Sequence, residues 1–205
     1  MIIESRKENM RMDFSLLISQ IVALDPNQCS AEEYSYIANL IAERQGINLL
    51  VFGVGNDSGL WLLANQGGKT LFLENSTAWL NRVKQQLQTI EILQVQFRTR
   101  RSKWRELLEG DPSALLLDLP EEVMACAWDV IFVDAPMGFN DACPGRMKSI
   151  YTASLLAGRL EGVDVIVHDC DREVESAYCE RFLSGHWLVN EFERTRHYRM
   201  RPRGR

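Results

Sequence analysis

Two stretches of the chain release polar side chains directly from apolar runs: Val133-Asp134-Ala135-Pro136 and Val167-His168-Asp169-Cys170-Asp171-Arg172-Glu173. A carboxylate or an imidazole in such a position can take the proton of a hydroxyl group as its oxygen attacks an electrophile. The same set, rich in oxygen and with one imidazole, also suits a magnesium, manganese or cobalt ion that lowers the hydroxyl pKa instead. Asp134, His168 and Asp169 are thus candidate catalytic residues and, equally, candidate ligands of a divalent metal. Asp171 reads either as a cap on the following helix or as an acceptor contact, and Arg172 either as an anion site or as a partner of Glu175.

A second constellation points to a nucleotide. Gly53 and Gly55 close the apolar run of Val51-Phe52-Gly53-Val54-Gly55-Asn56-Asp57-Ser58, where a tight turn lets the backbone approach a ligand that a Cβ would exclude. Glu74 ends the next apolar run, about 20 positions on, the offset at which a carboxylate accepts hydrogen bonds from ribose hydroxyls. Gly53, Gly55, Asn56, Asp57, Ser58, Glu74 and Asn75 therefore form the candidate cofactor site. The pattern alone fits either a nicotinamide cofactor, and hence an oxidoreductase, or S-adenosylmethionine. The dinucleotide fingerprint has a third glycine where this chain has Ser58, which weakens the nicotinamide reading.

These groups need a scaffold that brings distant segments together. Runs at Asn48 to Gly55, Thr70 to Leu73, Asp129 to Val133 and Val163 to Val167 are short, apolar and bounded by turns, as strands buried on both faces are. A further strand is expected over Glu91 to Arg98. Helical patterns occupy Ser30 to Gly46, Leu60 to Ala64, Thr77 to Leu87, a segment starting near Ser102, Gly145 to Leu160, and Glu173 to Leu183; Ser30-x-x-Glu33 reads as a capping box. The alternation predicts a doubly wound α/β sheet, whose ligand crevice lies beyond the carboxyl ends of its strands. Trp187 to Glu193 and His197 to Met200 predict a terminal β-hairpin. An antiparallel ending distinguishes class I methyltransferases from dinucleotide-binding domains, so the expected fold is Rossmann-like: seven strands, mostly parallel, an antiparallel C-terminal strand, and helices on both faces.

No linker divides the chain, so residues 1–205 are expected to form a single domain, with 1–29 as an N-terminal extension or helix and 194–205 as a basic, frayed tail. A net charge of −5 argues against a general nucleic-acid partner. No apolar run approaches the roughly 20 residues that cross a bilayer, and the N-terminus lacks a secretory pattern, so no membrane partner and a cytoplasmic location are expected. The five cysteines are odd in number and include no C-x-x-C pair, which fits reduced thiols. Nothing in the sequence sets an oligomeric state.

The motif blocks resemble one family, the glucuronoxylan 4-O-methyltransferases and related polysaccharide-biosynthesis proteins of plant xylan assembly. The resemblance rests on Leu50 to Ser58, Gly67-Gly68-Lys69-Thr70-Leu71-Phe72-Leu73-Glu74, Trp128 to Pro136, Ala142-Cys143-Pro144-Gly145-Arg146-Met147 with Ile150-Tyr151-Thr152-Ala153, Val167 to Glu175, and Arg196-His197-Tyr198. It implies S-adenosylmethionine as cofactor and methyl transfer to a sugar or uronate hydroxyl, so the expected partner is a small-molecule or glycan acceptor. Arg146, Tyr151, Asp171 and Arg172 are the corresponding candidate substrate contacts. Asn56 stands where the family usually has His, Asn75 and Ser76 follow Glu74 instead of acidic residues, and Met137 replaces a basic or polar residue. The exchange at Asn56 motivates one alternative, a noncatalytic relative that supports glycan assembly.

Overall fold

The computed structural model describes residues 12–201. Eight α-helices and seven strands are described: α1 (Ser15–Leu24), α2 (Ala31–Arg44), β1 (Asn48–Phe52), α3 (Ser58–Ala64), β2 (Lys69–Glu74), α4 (Thr77–Gln86), β3 (Glu91–Gln94), α5 (Trp104–Glu109), α6 (Glu121–Ala125), β4 (Val130–Val133), α7 (Met147–Ala157), β5 (Asp164–Val167), α8 (Glu173–Phe182), β6 (Trp187–Phe192) and β7 (Thr195–Arg199). They form one sheet of order β3-β2-β1-β4-β5-β7-β6. The first five strands in that row are parallel, and β7 pairs antiparallel with both β5 and β6, as the terminal hairpin predicts.

Side chains alternate across the strands, and both faces are apolar. Leu50, Phe52, Ile131, Val133, Val165 and Val167 face a core shared with α7 and α8. Leu49, Val51, Val130, Phe132 and Ile166 face a second core under α1, α2 and α3. Trp61 is buried there, 5.3 Å from the Phe132 ring and 5.8 Å from Tyr34. Each such side chain contributes about 1.5–3 kcal/mol relative to an exposed position. Two-sided burial is why these strands read as continuous apolar runs.

Helix α2 starts as its sequence predicts: the Ser30 side chain accepts from Glu33 N, and the Glu33 carboxylate accepts from Ser30 N. Strand β3 stops at Gln94 instead of Arg98. It is an edge strand whose partner β2 ends at Glu74, so Val95 makes a last bond to Glu74 O and no neighbour remains to pair beyond it. Helices α1 and α6 complete the set. The arginine-rich C-terminus is not a frayed tail over its described part. Arg194 pairs with Asp169 and Arg199 with Asp164, buried carboxylates at the two ends of β5, and Arg196 pairs with Glu191 of the neighbouring β6. Arg203 and Arg205 lie outside the described residues. Among the described residues, no helix is long and apolar enough to cross a membrane.

Candidate active site

The sheet register assembles the site. Phe52 pairs with Leu73 and Val133, and Val133 with Val167, so the residues one step further on stand in a row at the carboxyl edge: Glu74, Gly53, Asp134 and His168. Backbone bonds fix this row, from Gly53 N to Leu73 O (2.8 Å), Asp134 N to Phe52 O (3.1 Å) and His168 N to Val133 O (3.1 Å). A cleft of about 200 Å³ opens above it, where a parallel sheet places its ligands.

Gly53, Gly55, Asn56, Asp57, Glu74 and Asn75 all line this cleft. Gly53 has φ +112°, and a Cβ there would lie 2.9 Å from the Ala135 Cβ, so both backbone conformation and the end of β4 require glycine. Glu74 is buried and accepts from Val54 N (3.0 Å) and Ser76 N (2.5 Å), which ties the glycine turn to the end of β2 and leaves its oxygens further lone pairs for a ligand's hydroxyls. Ser58 lies deeper. It is fully buried, and its Oγ accepts from Gly55 N (3.0 Å), so it braces the turn from beneath. Asp57 accepts from Trp61 Nε1 (3.1 Å); burial, together with the charge of Asp134, pushes its pKa up to about 7.

Across the cleft, Arg146 knits two strand ends together. It precedes α7, is 4% exposed, and donates to Asp134 O (2.5 Å), Asp134 Oδ1 (2.8 Å), His168 O (2.7 Å) and the Asp169 carboxylate. Its terminal N–H groups are thereby occupied, so it organises Asp134 and Asp169 and is unavailable to an acceptor carboxylate. Burial opposes the charge on Asp134, but Arg146 and His168 outweigh it and lower the pKa. Asp134 Oδ1 also meets His168 Nδ1 at 2.9 Å. Asp169 adopts φ +62°, an uncommon conformation for a non-glycine residue, and Arg146, Arg172 and Arg194 hold its carboxylate there.

His168 is 1% exposed and does not line the cleft. Burial disfavours its charge, yet Asp134, Cys29 and Glu33 push its pKa up to about 12. An imidazolium held so firmly is not a base at neutral pH; it fixes Asp134 in place. Glu33, read in the sequence only as a capping residue, lies 3.5 Å from His168 Nε2 and accepts from Arg194 N (3.1 Å) and Thr195 Oγ1 (2.6 Å). Burial raises its pKa, but the hydrogen bonds from His168, Thr195 and Ser30 prevail and hold it at about 2.

Two predicted substrate contacts sit elsewhere. Tyr151 packs edge-on against Phe182 of α8, 5.0 Å between ring centres, and does not line the cleft. Asp171 is exposed, lines no part of the cleft, and does not cap α8. Arg172 does line the cleft, with Nη1 2.7 Å from Asp169 Oδ2. The cleft also has walls that no motif marks: Ile21, Asp25, Asn27 and Gln28 from α1 and its following loop, Trp79 from α4, and Gly138 and Phe139 after β4, beside Met137. Their residue types recur all over protein surfaces, and only the tertiary structure brings them here.

Asp134, His168 and Asp169 do bring ligand-type atoms within 4.8 Å of one another, as do Cys29, Glu33 and His168. Neither set fits a cation in this arrangement. The carboxylates of the first are already paired with Arg146, Arg172 and Arg194. In the second, the Glu33 oxygens already accept from Ser30 N, Arg194 N and Thr195 Oγ1.

Residues 32–114 and 112–198 match the family described as IRX15/IRX15L/GXM. The chain is 34% identical over 189 residues to glucuronoxylan 4-O-methyltransferase 1 of Arabidopsis thaliana, covering 83% of this chain and 67% of that protein. It is 35% identical over 193 residues to arabinogalactan O-methyltransferase 2 of the same plant, covering 83% and 66%. It thus spans about two thirds of these relatives' length. Among solved structures, an O-methyltransferase from Bacillus cereus in complex with SAH is similar at a TM-score of 0.55 and 12% identity, over 94% of this chain and 93% of that one, a likeness of fold. The sheet order, mostly parallel with an antiparallel end, is that of the class I Rossmann-like methyltransferases. The motif blocks that suggested xylan methylation proteins are matched across nearly the whole described sheet, and this chain belongs to the IRX15/IRX15L/GXM family.

Proposed function

We propose that the protein transfers a methyl group from S-adenosylmethionine to a hydroxyl of a glycan or uronate acceptor. The observation that carries this reading is the row Glu74, Gly53, Asp134 at one cleft edge, in a chain whose relatives are named for O-methylation of glucuronoxylan and arabinogalactan. Glu74 accepts the ribose hydroxyls, and the Gly53 to Asp57 turn holds the methionine end, with its positive charge facing Asp57 and Asp134.

In the transfer step the acceptor oxygen forms a bond to the methyl carbon as the carbon–sulfur bond breaks. The electron pair goes to sulfur, and the hydroxyl proton leaves the oxygen. That proton becomes strongly acidic as the new bond forms, so an ionised carboxylate of low pKa suffices to take it. We assign this role to Asp134, whose Oδ1 is held by Arg146 and His168 while Oδ2 makes no hydrogen bond among the described residues. His168, Arg146 and Glu33 are positioning residues. Asp169 anchors Arg146 and Arg172. The pairing of the Asp134 and Asp169 carboxylates with Arg146, Arg172 and Arg194 favours this carboxylate route over a divalent metal.

Calorimetry tests the cofactor directly. S-adenosylhomocysteine is expected to bind with micromolar affinity and NAD not to bind. Binding of NAD in preference to S-adenosylhomocysteine would overturn the proposal in favour of an oxidoreductase.

A further inference from the structure

The loop after β4 places two large apolar side chains in solvent at the cleft rim: Met137 is 54% exposed and Phe139 65%. The loop is nonetheless held firmly. Gly145 N bonds Met137 O (2.9 Å), Ser149 Oγ bonds Ala135 O (2.6 Å), and Asn140 Oδ1 accepts from Ala142 N and Cys143 N. An exposed phenyl ring on a braced loop is presented without a partner of its own, and it is already in place for a ligand.

Arg172 stands beside it. A Cβ at Gly138 would clash with Glu175 Oε1 at 2.9 Å and lie in ordinary contact, 3.6 Å, with Arg172 Nη1, so this guanidinium sits against the loop next to Phe139. Arg172 differs from Arg146 in the way that matters for a ligand. Arg146 is sealed with its terminal N–H groups engaged, whereas Arg172 is 30% exposed and, among the described residues, pairs through Nη1 with Asp169. Its Nη2 and Nε keep donors for an incoming carboxylate. An apolar ring face next to a partly free guanidinium complements one chemical class well: a pyranose bearing a carboxylate, whose axial C–H bonds form an apolar, weakly positive face suited to the negative face of an aromatic ring.

We propose that Phe139 and Arg172 form the acceptor subsite, the Phe139 ring stacking on the pyranose of a uronic acid residue and Arg172 binding its carboxylate. This rests on the glycan-methyltransferase reading above and names the residues that select its acceptor. Of the two arginines expected from the sequence to meet an anionic acceptor, it keeps Arg172 and releases Arg146.

The test uses the full chain, with a uronate-bearing xylo-oligosaccharide and its carboxyl-reduced counterpart as acceptors. Phe139→Ala is expected to raise KM for both acceptors at least tenfold and leave the Kd for S-adenosylhomocysteine within twofold, with Phe139→Trp restoring KM. Arg172→Gln is expected to erase the preference for the uronate over the reduced acceptor. Equilibrium binding of the uronate oligosaccharide to the protein saturated with S-adenosylhomocysteine supplies a second readout, expected to weaken tenfold in Phe139→Ala. If the wild type methylates the uronate and Phe139→Ala leaves KM and binding within twofold, the subsite is wrong while the activity stands. If the wild type neither binds nor methylates either oligosaccharide, the glycan reading falls and the subsite with it.

Discussion

His168 Nδ1 lies 2.9 Å from Asp134 Oδ1 while its Nε2 faces Glu33 Oε2 at 3.5 Å, so one buried imidazolium bridges a cleft carboxylate to the first turn of α2. A chain from Ser30 through Glu33 and His168 thus sets where Asp134 sits. The arrangement converts a residue that resembles a general base into a fixed positive charge.

Removing that charge leaves two carboxylates facing each other. His168→Gln is expected to lower unfolding free energy at pH 6 by about 3–5 kcal/mol, the usual effect of breaking a buried pair. Because the folded pKa is raised to about 12 above an ordinary value near 6.5, the stabilisation is complete below about 6.5 and declines as pH rises toward 12. Denaturant titrations of wild type and variant should therefore converge between pH 6 and pH 10; a constant gap contradicts a charged His168.

Asp57 makes cofactor affinity depend on pH. With its pKa pushed up to about 7, it is largely protonated at pH 6 and ionised at pH 8, and only the ionised form attracts a cationic ligand. The Kd for S-adenosylmethionine is expected to fall severalfold from pH 6 to pH 8, and Asp57→Asn to flatten that dependence. An unchanged pH profile in the variant would remove Asp57 from the site. The same shift has a stability sign: a carboxyl group with a raised folded pKa costs stability as pH rises from about 4 to about 7, so Asp57→Asn gains relative stability across that window.

Arg146→Lys tests the clamp. A lysine keeps the charge but lacks the planar fork that reaches Asp134, His168 O and Asp169 at once. A loss of about 3 kcal/mol in stability is expected, with turnover falling and KM for acceptor changing little. A large rise in acceptor KM with stability intact would instead restore Arg146 as a substrate contact.

Gly53→Ala forces a side chain into a left-handed backbone and against the Ala135 Cβ at 2.9 Å. About 1–3 kcal/mol of strain is expected. The β1 and β4 ends must separate, so binding of S-adenosylhomocysteine should weaken about tenfold, equivalent to about 1.4 kcal/mol. Wild-type affinity in this variant would show that the turn does not hold the cofactor.

Much of this was legible because local pattern and tertiary environment agree. Strands buried on both faces announce themselves as apolar runs, and polar residues at their ends fall in one row once the sheet is parallel, which is how Gly53, Glu74, Asp134 and His168 were found. Roles were harder to read than positions. Arg146 resembles an anion site until Asp134 and Asp169 are seen around it. Glu33 satisfies its capping box and gives no sign that Arg194 and Thr195 arrive from the far end of the chain. The sequence predicts β3 too long because Val95 and Phe97 keep the period of a strand and are buried, although the sheet has no partner left for them. Phe139, Trp79 and the loop of Asp25 to Gln28 carry no motif at all, since their meaning is only their place on the cleft.

The most direct measurement of the central claim is methyl transfer with product analysis: protein, S-adenosylmethionine labelled with carbon-13 at the methyl group, and a glucuronic-acid-bearing oligosaccharide, followed by NMR. A new O-methyl signal on a ring hydroxyl of the acceptor is expected, lost in Asp134→Asn while S-adenosylhomocysteine binding persists. Cofactor binding with no label on any acceptor, or full transfer by Asp134→Asn, would contradict it.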